Sequence, residues 1–385
     1  MEGIFLSVKD QIRYRMVEDF RSGKISRHDV ALKLGISERQ VTRIKNKIRK
    51  HGIPGLIHGN RQKKPHNKYP CDVKDWYLEL YRSKYPNFNF RHALEMINLH
   101  QEPKIKVSYG SFRKWCRQAG LGKVRRRRAS KARVTRERSA NEGFMLQMDG
   151  STHRWFGKEK TTLIATIDDA TSDIPGGRFF PSETTWGCLN VLEDVIINHG
   201  VPEVILTDEA GWSTGGTKRE SFSQFARACD ELGIKLIGTP SAESKGRIER
   251  LNRTLQDRLI PEMELYGVNN MVHANQYLNQ CFIPNWRENL TVKPISQEKR
   301  YRQLGPTMNL KDILCYKYKR MVNRGHEIFF EGEVYRIDPT STGNLWRKEV
   351  CIHKYQDNSI AFFHAGKRLP FDRVRKPVRK WQKGA

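Results

Sequence analysis

The chain has 385 residues, 70 of them Lys or Arg and 42 Asp or Glu, so it carries a formal charge of +28 and a pI near 9.9. An excess of that size requires a polyanionic partner, and with no apolar run of membrane-spanning length that partner is nucleic acid rather than lipid. The start, MEGIFLSVKDQIRYR, is too charged for a secretory signal. The seven cysteines are scattered, with no C-x-x-C and no zinc-finger spacing, so a cytoplasmic protein with reduced thiols and no zinc is expected.

Residues 1–60 read as a helix-turn-helix domain. A first helix is expected over 9–22, a second capped by Ser26 and ending near Leu34, then a tight turn at Gly35 and Ile36, and a third helix capped by Ser37. Ser37 and Gln40 have capping-box spacing. Val41, Ile44 and Ile48 form the buried stripe of the third helix. Arg39, Gln40, Arg43, Asn46 and Lys47 face outward, where Arg and Gln can reach guanine and adenine edges in a major groove. A solvated helix could carry the same charges, but DVALKLGISERQVTRIKNKI also has the caps and the turn of the motif.

Residues 52–70, rich in Gly, Pro and basic side chains, suit a linker lying along phosphates. Helices are expected over 72–84, 90–99 and 109–119. The last buries Phe112, Trp115 and Cys116 and turns Arg113, Lys114 and Arg117 outward, which makes residues 61–122 a linker and a second helix-turn-helix domain. The run 123–138 holds nine basic residues and one acid, with Arg125, Arg126, Arg127 and Arg128 at its centre. Such a run is a solvated tether, and here it suits a nucleic-acid groove.

From about 140 to 267, strands are expected over 144–149, 161–167, 177–181, 203–207 and 234–238, and helices over 185–198, 221–232 and 245–259. Asp149 ends FMLQMDG and Asp208 ends VILTD. Glu249 lies on SKGRIERLNRTLQDRL. In that helix Ile248, Leu251, Leu255 and Leu259 make one apolar face, and Glu249, Asn252, Arg253 and Gln256 share another. Each acid alone has a plain structural explanation, as a turn residue or an Arg partner. Sites in open α/β sheets gather at the carboxyl ends of strands, so the three can converge. Asp168, Asp169 and Asp173 are read as turn and capping groups. Residues 269–304 read as helical, with a break at IPNWRENLTVKP. Residues 311–375 switch to period two, with turns at Glu331-Gly332 and Asp357-Asn358, which suggests a small barrel.

The stretches QMDGSTHRWFG, TLIATIDDATSDIPGGRFFPSETT, LGIKLIGTPSAESKGRIERLNRTLQDRL and CYKYKRMVNRGHEIFFEGEVYRI are similar to those of DDE transposases with a retroviral-integrase-like catalytic core. The chain most closely resembles the insertion-sequence transposases grouped as ISNCY, over most of its length. The resemblance implies a multidomain protein: all-α helix-turn-helix domains (1–60 and 61–122), a basic linker (123–139), an α/β RNase H-like core (140–267), a helical connector (268–310), an SH3-like β-barrel (311–375) and a basic tail (376–385). In that core the first and fourth strands are neighbours, which implies Asp149 beside Asp208.

By position, the catalytic and metal-binding triad of the family falls on Asp149, Asp208 and Glu249, implying two Mg²⁺ ions with Mn²⁺ as a substitute. Lys245, Asn252, Arg253 and Gln256 match positions that imply DNA contact. The text after Asp208, DEAGWSTGG, departs from the family, where a basic residue follows the Asp. The implied activity is transposition by a homodimer or larger assembly on double-stranded DNA. The ends of a mobile element are bound, hydrolysed to a 3′-OH and joined to target DNA by transesterification. The alternative is a catalytically idle, transposon-derived DNA-binding regulator.

Overall fold

Two compact units divide the chain, residues 1–77 and 78–385. The computed structural model describes residues 6–57, 68–122, 136–208, 223–239 and 245–374. Arg125, Arg126, Arg127 and Arg128 therefore lie outside the described residues, as does most of the basic run.

In the smaller unit, α1 (Val8–Arg21), α2 (Arg27–Leu34) and α3 (Glu38–His51) follow the expected order. Ser26 and Ser37 each close a capping box, with Asp29 and Gln40. Gly35 takes φ 61°, the left-handed region that favours glycine, and the Ile36 amide donates to the Ala31 carbonyl at 3.0 Å. That turn sets α3 across α2. Val30, Ala31 and Val41 form the core between them, ringed by Met16, Phe20, Ile25, Leu34 and Ile36.

The unit boundary falls inside α4 (Cys71–Lys84), which leads to α5 (Phe90–His100) and α6 (Tyr109–Gln118). Tyr81, Phe90 and Phe112 meet in edge and tilted contacts that hold these helices together. Gly120 at φ 71° stops α6, as its sequence suggests.

The centre of the larger unit is a five-stranded sheet. Its strands are β1 (Met145–His153), β2 (Thr161–Asp168), β3 (Gly177–Phe180), β4 (Val204–Thr207) and β5 (Lys235–Gly238), in the order β3-β2-β1-β4-β5. β1 and β2, and β2 and β3, are antiparallel, whereas β1, β4 and β5 are parallel. The first and fourth strands are neighbours, as the resemblance implies. α7 (Thr185–Asn198) and α8 (Gln224–Glu231) pack on one face with Met148, Ile164 and Ile205. α9 (Gly246–Leu265) packs on the other with Leu163, Ala165 and Ile167. The alternation of β2 divides those two cores.

α9 runs six residues past its expected end, through Pro261. Proline lacks the N–H that would bond residue 257, yet burial of Leu259, Pro261 and Met263 carries the helix on. Helix α5 docks on this C-terminal half. His92 Nε2 lies 2.6 Å from Glu262 Oε1 with both side chains buried, Tyr277 donates to Glu262 Oε2 at 2.6 Å, and Asn89 and Arg258 bond Asp257 and Glu95. The segment IPNWREN, expected as a break, is helical; it continues the helix from Met271–Tyr277 through a π turn, Leu278–Phe282, just ahead of Pro284.

The C-terminal region differs from the closed SH3-like barrel expected. Its described strands form two antiparallel sheets, of four (Tyr316–Met321, Glu349–Lys354, Ile360–His364, Lys367–Leu369) and three (Glu327–Phe330, Glu333–Ile337, Phe371–Val374) strands. The chain passes from one to the other at Pro370, which cannot donate to a ladder. Ile328, Phe330 and Ile337 from one sheet share a core with Val350, Ile352 and Phe362 from the other. The Glu331-Gly332 turn is present, with both residues at positive φ, as a two-residue hairpin demands. This module is fixed to the core. Gln224 exchanges two 2.9 Å hydrogen bonds with the Lys317 backbone, and Trp186 stacks on Tyr316. No helix among the described residues is long and apolar enough to cross a membrane.

Leu255 is 1% exposed where α9 meets the sheet. Leu255→Ala is expected to destabilise the larger unit by about 2–5 kcal/mol in urea unfolding, through lost burial and the cavity left behind.

Candidate active site

One face of β1 carries Gln147, Asp149 and Ser151 at strand spacing, and each meets α9 at successive helical turns. The Ile248 amide donates to Gln147 Oε1 at 3.1 Å, Asn252 Nδ2 to Asp149 Oδ2 at 2.9 Å, and Gln256 Nε2 to Ser151 Oγ at 3.1 Å. Asn252 and Gln256, expected to contact DNA, thus face the strand. Asn252 is 8% exposed, and its Oδ1 is a buried acceptor with no partner among the described residues. Arg253 and Glu249 are exposed, Glu249 lying one turn before Asn252.

The second aspartate arrives by strand pairing. The parallel ladder of β1 with β4 runs to Gln147 opposite Leu206, so Asp149 and Asp208 follow it at the same end, near enough for Asp208 to raise the Asp149 carboxyl. Lys245, just before α9, places its ammonium 3.6 Å from Asp208 Oδ2. Lys245 is therefore directed at the aspartates in this structure.

A fourth acid joins them. β3 is antiparallel to β2, and β2 to β1, so β3 shares its carboxyl end with β1 and β4. Glu183 follows β3 there. A Cβ added at Gly150 would meet Glu183 Oε2 at 2.5 Å, so the glycine is what admits the carboxylate. Sequence reasoning passed over Glu183; the available signal was an acid just after a strand of the right direction.

Burial pushes the Asp149 carboxyl up to about 6; Lys245 opposes this, while Asp208 and Glu183 add to it. Among the described residues, no three His, Cys, Asp or Glu side chains stand at metal-ligand spacing. The expected triad is thus not gathered into one ligand set. Glu249 stays exposed on α9, while Lys245 supplies counter-charge to the two aspartates.

The first turn of α9 has its own anchor. Asp169, fully buried, accepts from Arg247 Nε at 2.6 Å, from Gln147 Nε2 at 3.0 Å, from Arg136 Nη2, and from the Ser139 amide and hydroxyl. Burial pushes its carboxyl up, but the Ser139 amide, Arg136 and Arg247 together hold it below the usual range. Asp168 caps its turn as expected, accepting from the Gly143, Ala170 and Thr171 amides. The reading of Asp169 as only a turn group is corrected by these bonds, since its partners come from distant segments.

The expected nucleic-acid faces are exposed. Arg39, Arg43, Asn46 and Lys47 are open on α3, and Arg113, Lys114 and Arg117 on α6. Gln40 is exposed too, but its Oε1 accepts the Ser37 amide at 3.0 Å in the cap, which leaves its NH₂ and one lone pair of Oε1 to read a base.

Raising the carboxyl of Asp149 from 3.8 to about 6 means the folded state holds that proton more tightly than the unfolded state. The group therefore weakens folding above pH 6, and the loss is recovered as pH falls towards 4. Asp149→Asn is expected to stabilise the metal-free protein at pH 7.5 by about 1–2 kcal/mol, allowing for partial exposure, with no gain near pH 4. Urea unfolding at both pH values checks this.

Against this geometry stand the likenesses to known proteins. A family model for the Homeodomain-like domain matches residues 7–57, which are α1–α3. Among solved structures, a chain of a simian T-cell lymphotropic virus intasome, in complex with PP2A regulatory subunit B56 gamma, matches with a TM-score of 0.35 and 15% identity. The match covers 78% of this chain and 99% of that one. The HTLV-2 integrase catalytic core domain in complex with magnesium matches with a TM-score of 0.29 and 20% identity, over 37% and 90% of the two chains. The transposase for insertion sequence IS1202 of Streptococcus pneumoniae is 30% identical over 375 residues, 86% of this chain and 78% of that protein. Transposase y4bF of Sinorhizobium fredii is 31% identical over 379 residues, 96% of this chain and 81% of that protein. With that identity sustained across nearly its whole length, the chain belongs to the transposase family.

Proposed function

We propose that this transposase cuts DNA at the ends of a mobile element and joins the freed 3′-OH to target DNA, using Asp149, Asp208 and Glu249. The observation that carries the reading is the arrival of Asp149 and Asp208 at one end of the parallel β1–β4 ladder, beside the helix that bears Glu249. The donor set suits Mg²⁺, which takes hard oxygen ligands and keeps several waters. The unpartnered Asn252 Oδ1 beside Asp149 offers such a water an acceptor. Asp149, Asp208 and Glu249 would hold two Mg²⁺ ions (or Mn²⁺), which would polarise the phosphodiester and favour ionisation of the attacking oxygen.

The chain's own residues prepare the site. Asn252 fixes the orientation of the Asp149 carboxylate. Lys245 balances the aspartates until they are engaged. Arg253, exposed on the same helix, pairs with a backbone phosphate. In the first reaction water attacks phosphorus, the P–O3′ bond breaks, and the 3′ oxygen leaves protonated. In the second, that 3′-OH attacks a target phosphodiester and displaces its 3′ oxygen. One ester replaces another, so no ATP is consumed. Exposed basic residues on α3 and α6 bind the element ends, with Arg125–Arg128 along the phosphates, and joining two ends requires a dimer or larger assembly on DNA. The setting is the bacterial cytosol.

The idle-regulator reading has one observation in its favour, the lack of a gathered three-acid ligand set among the described residues. A strand-transfer assay with Mg²⁺ and labelled element-end duplex separates the two. Joined donor–target product is expected from the wild type, and Asp208→Asn or Glu249→Gln should lower its rate by roughly 10³-fold, since lost charge stabilisation of several kcal/mol carries about tenfold per 1.4 kcal/mol. End binding without joining would favour the regulator. Arg43→Ala is expected to weaken end binding and, if Arg43 meets a phosphate, to reduce the log–log salt slope by about 0.9.

A further inference from the structure

Asp169 links three parts of the chain that the proposed reaction must coordinate. Arg136, near the end of the basic tether, donates to it from one side, and its side chain is still 38% exposed. Arg138 grips the same turn through the Asp169 and Ala170 carbonyls and the Ser172 hydroxyl. Arg247 donates from α9, two residues before Glu249. Gln147 joins Asp169 to the Ile248 amide and lies two residues before Asp149 on β1.

A buried carboxylate with this many donors fixes their directions, because moving any one leaves a charged group unpaired out of water. The first turn of α9 therefore cannot rotate without breaking Arg247 from Asp169 and Ile248 from Gln147. We propose that Asp169 is a positioning residue that ties the basic tether to the first turn of α9, so that DNA held by the tether sets where Glu249 stands. The proposal rests on the reading of Glu249 as a catalytic acid. Asp169 itself touches no reacting atom.

The test uses the full chain, a duplex from the end of its own element, Asp169→Asn, and Arg136→Gln as the variant least able to disturb folding. Hydrogen exchange over residues 246–251 reads the helix turn directly. Both variants are expected to exchange there about tenfold faster, with residues 316–321 unchanged, and strand transfer should lose about tenfold in kcat with KM for DNA held within about twofold. In the wild type the duplex should slow exchange at 246–251, and in Arg136→Gln that slowing should be lost. Wild-type exchange at 246–251 in both variants overturns the proposal, as does acceleration spread evenly over the larger unit. If the wild type joins no DNA yet the exchange pattern appears, the tie through Asp169 stands and the catalytic assignment of Glu249 is what fails.

Discussion

The site depends on a strand and a helix that advance in step. Two residues of β1 rise by about 6.6 Å and four residues of a helix by about 6 Å, so contacts repeat at matching intervals. Gln147, Asp149 and Ser151 therefore meet residues 248, 252 and 256 in succession. The apolar stripe of α9 locks the helix against β2, leaving the polar contacts to set its register. A slip of one residue along β1 would turn Asp149 into the opposite core, where Met148 now lies.

That register gives the carboxyl edge of the sheet an electrostatic character. Asp208 and Glu183 reach the same edge from β4 and β3, and the glycine at 150 leaves room for the second. The structure tolerates this concentration of negative charge with Lys245 close by and Asn252 as a donor. The surrounding modules stiffen the frame. Helix α5 holds the far half of α9 through His92 and Glu262, and the C-terminal sheets hold α8 through Gln224 and Lys317.

Much of this was legible in the sequence because it follows from local rules. Apolar runs gave the strands, the serines at 26 and 37 gave helix starts, and Glu331-Gly332 gave a hairpin. Asp149 and Asp208 stand out because each closes an apolar run, although β1 continues four residues past Asp149, to His153. Glu183 does not, since its relevance depends on the direction of β3, which only the assembled sheet reveals. Asp169 reads like its neighbours in DDATSD; its difference lies in partners at positions 136, 147 and 247. The helical period groups Asn252 and Gln256 with Glu249 and Arg253, yet the first two turn towards β1 while the other two are exposed. The closed barrel was expected from strand periodicity, which is blind to the sheet change at Pro370.

Pro261 gives the long helix an asymmetry. The missing N–H weakens the backbone ladder between the half that lines the acids and the half that Glu262 binds to the helical module. A helix without that interruption would behave as a stiff rod, carrying any displacement of the helical module straight to the acids. With it, the ladder is one hydrogen bond short at that point, so the two halves are coupled less tightly than an unbroken ladder would couple them.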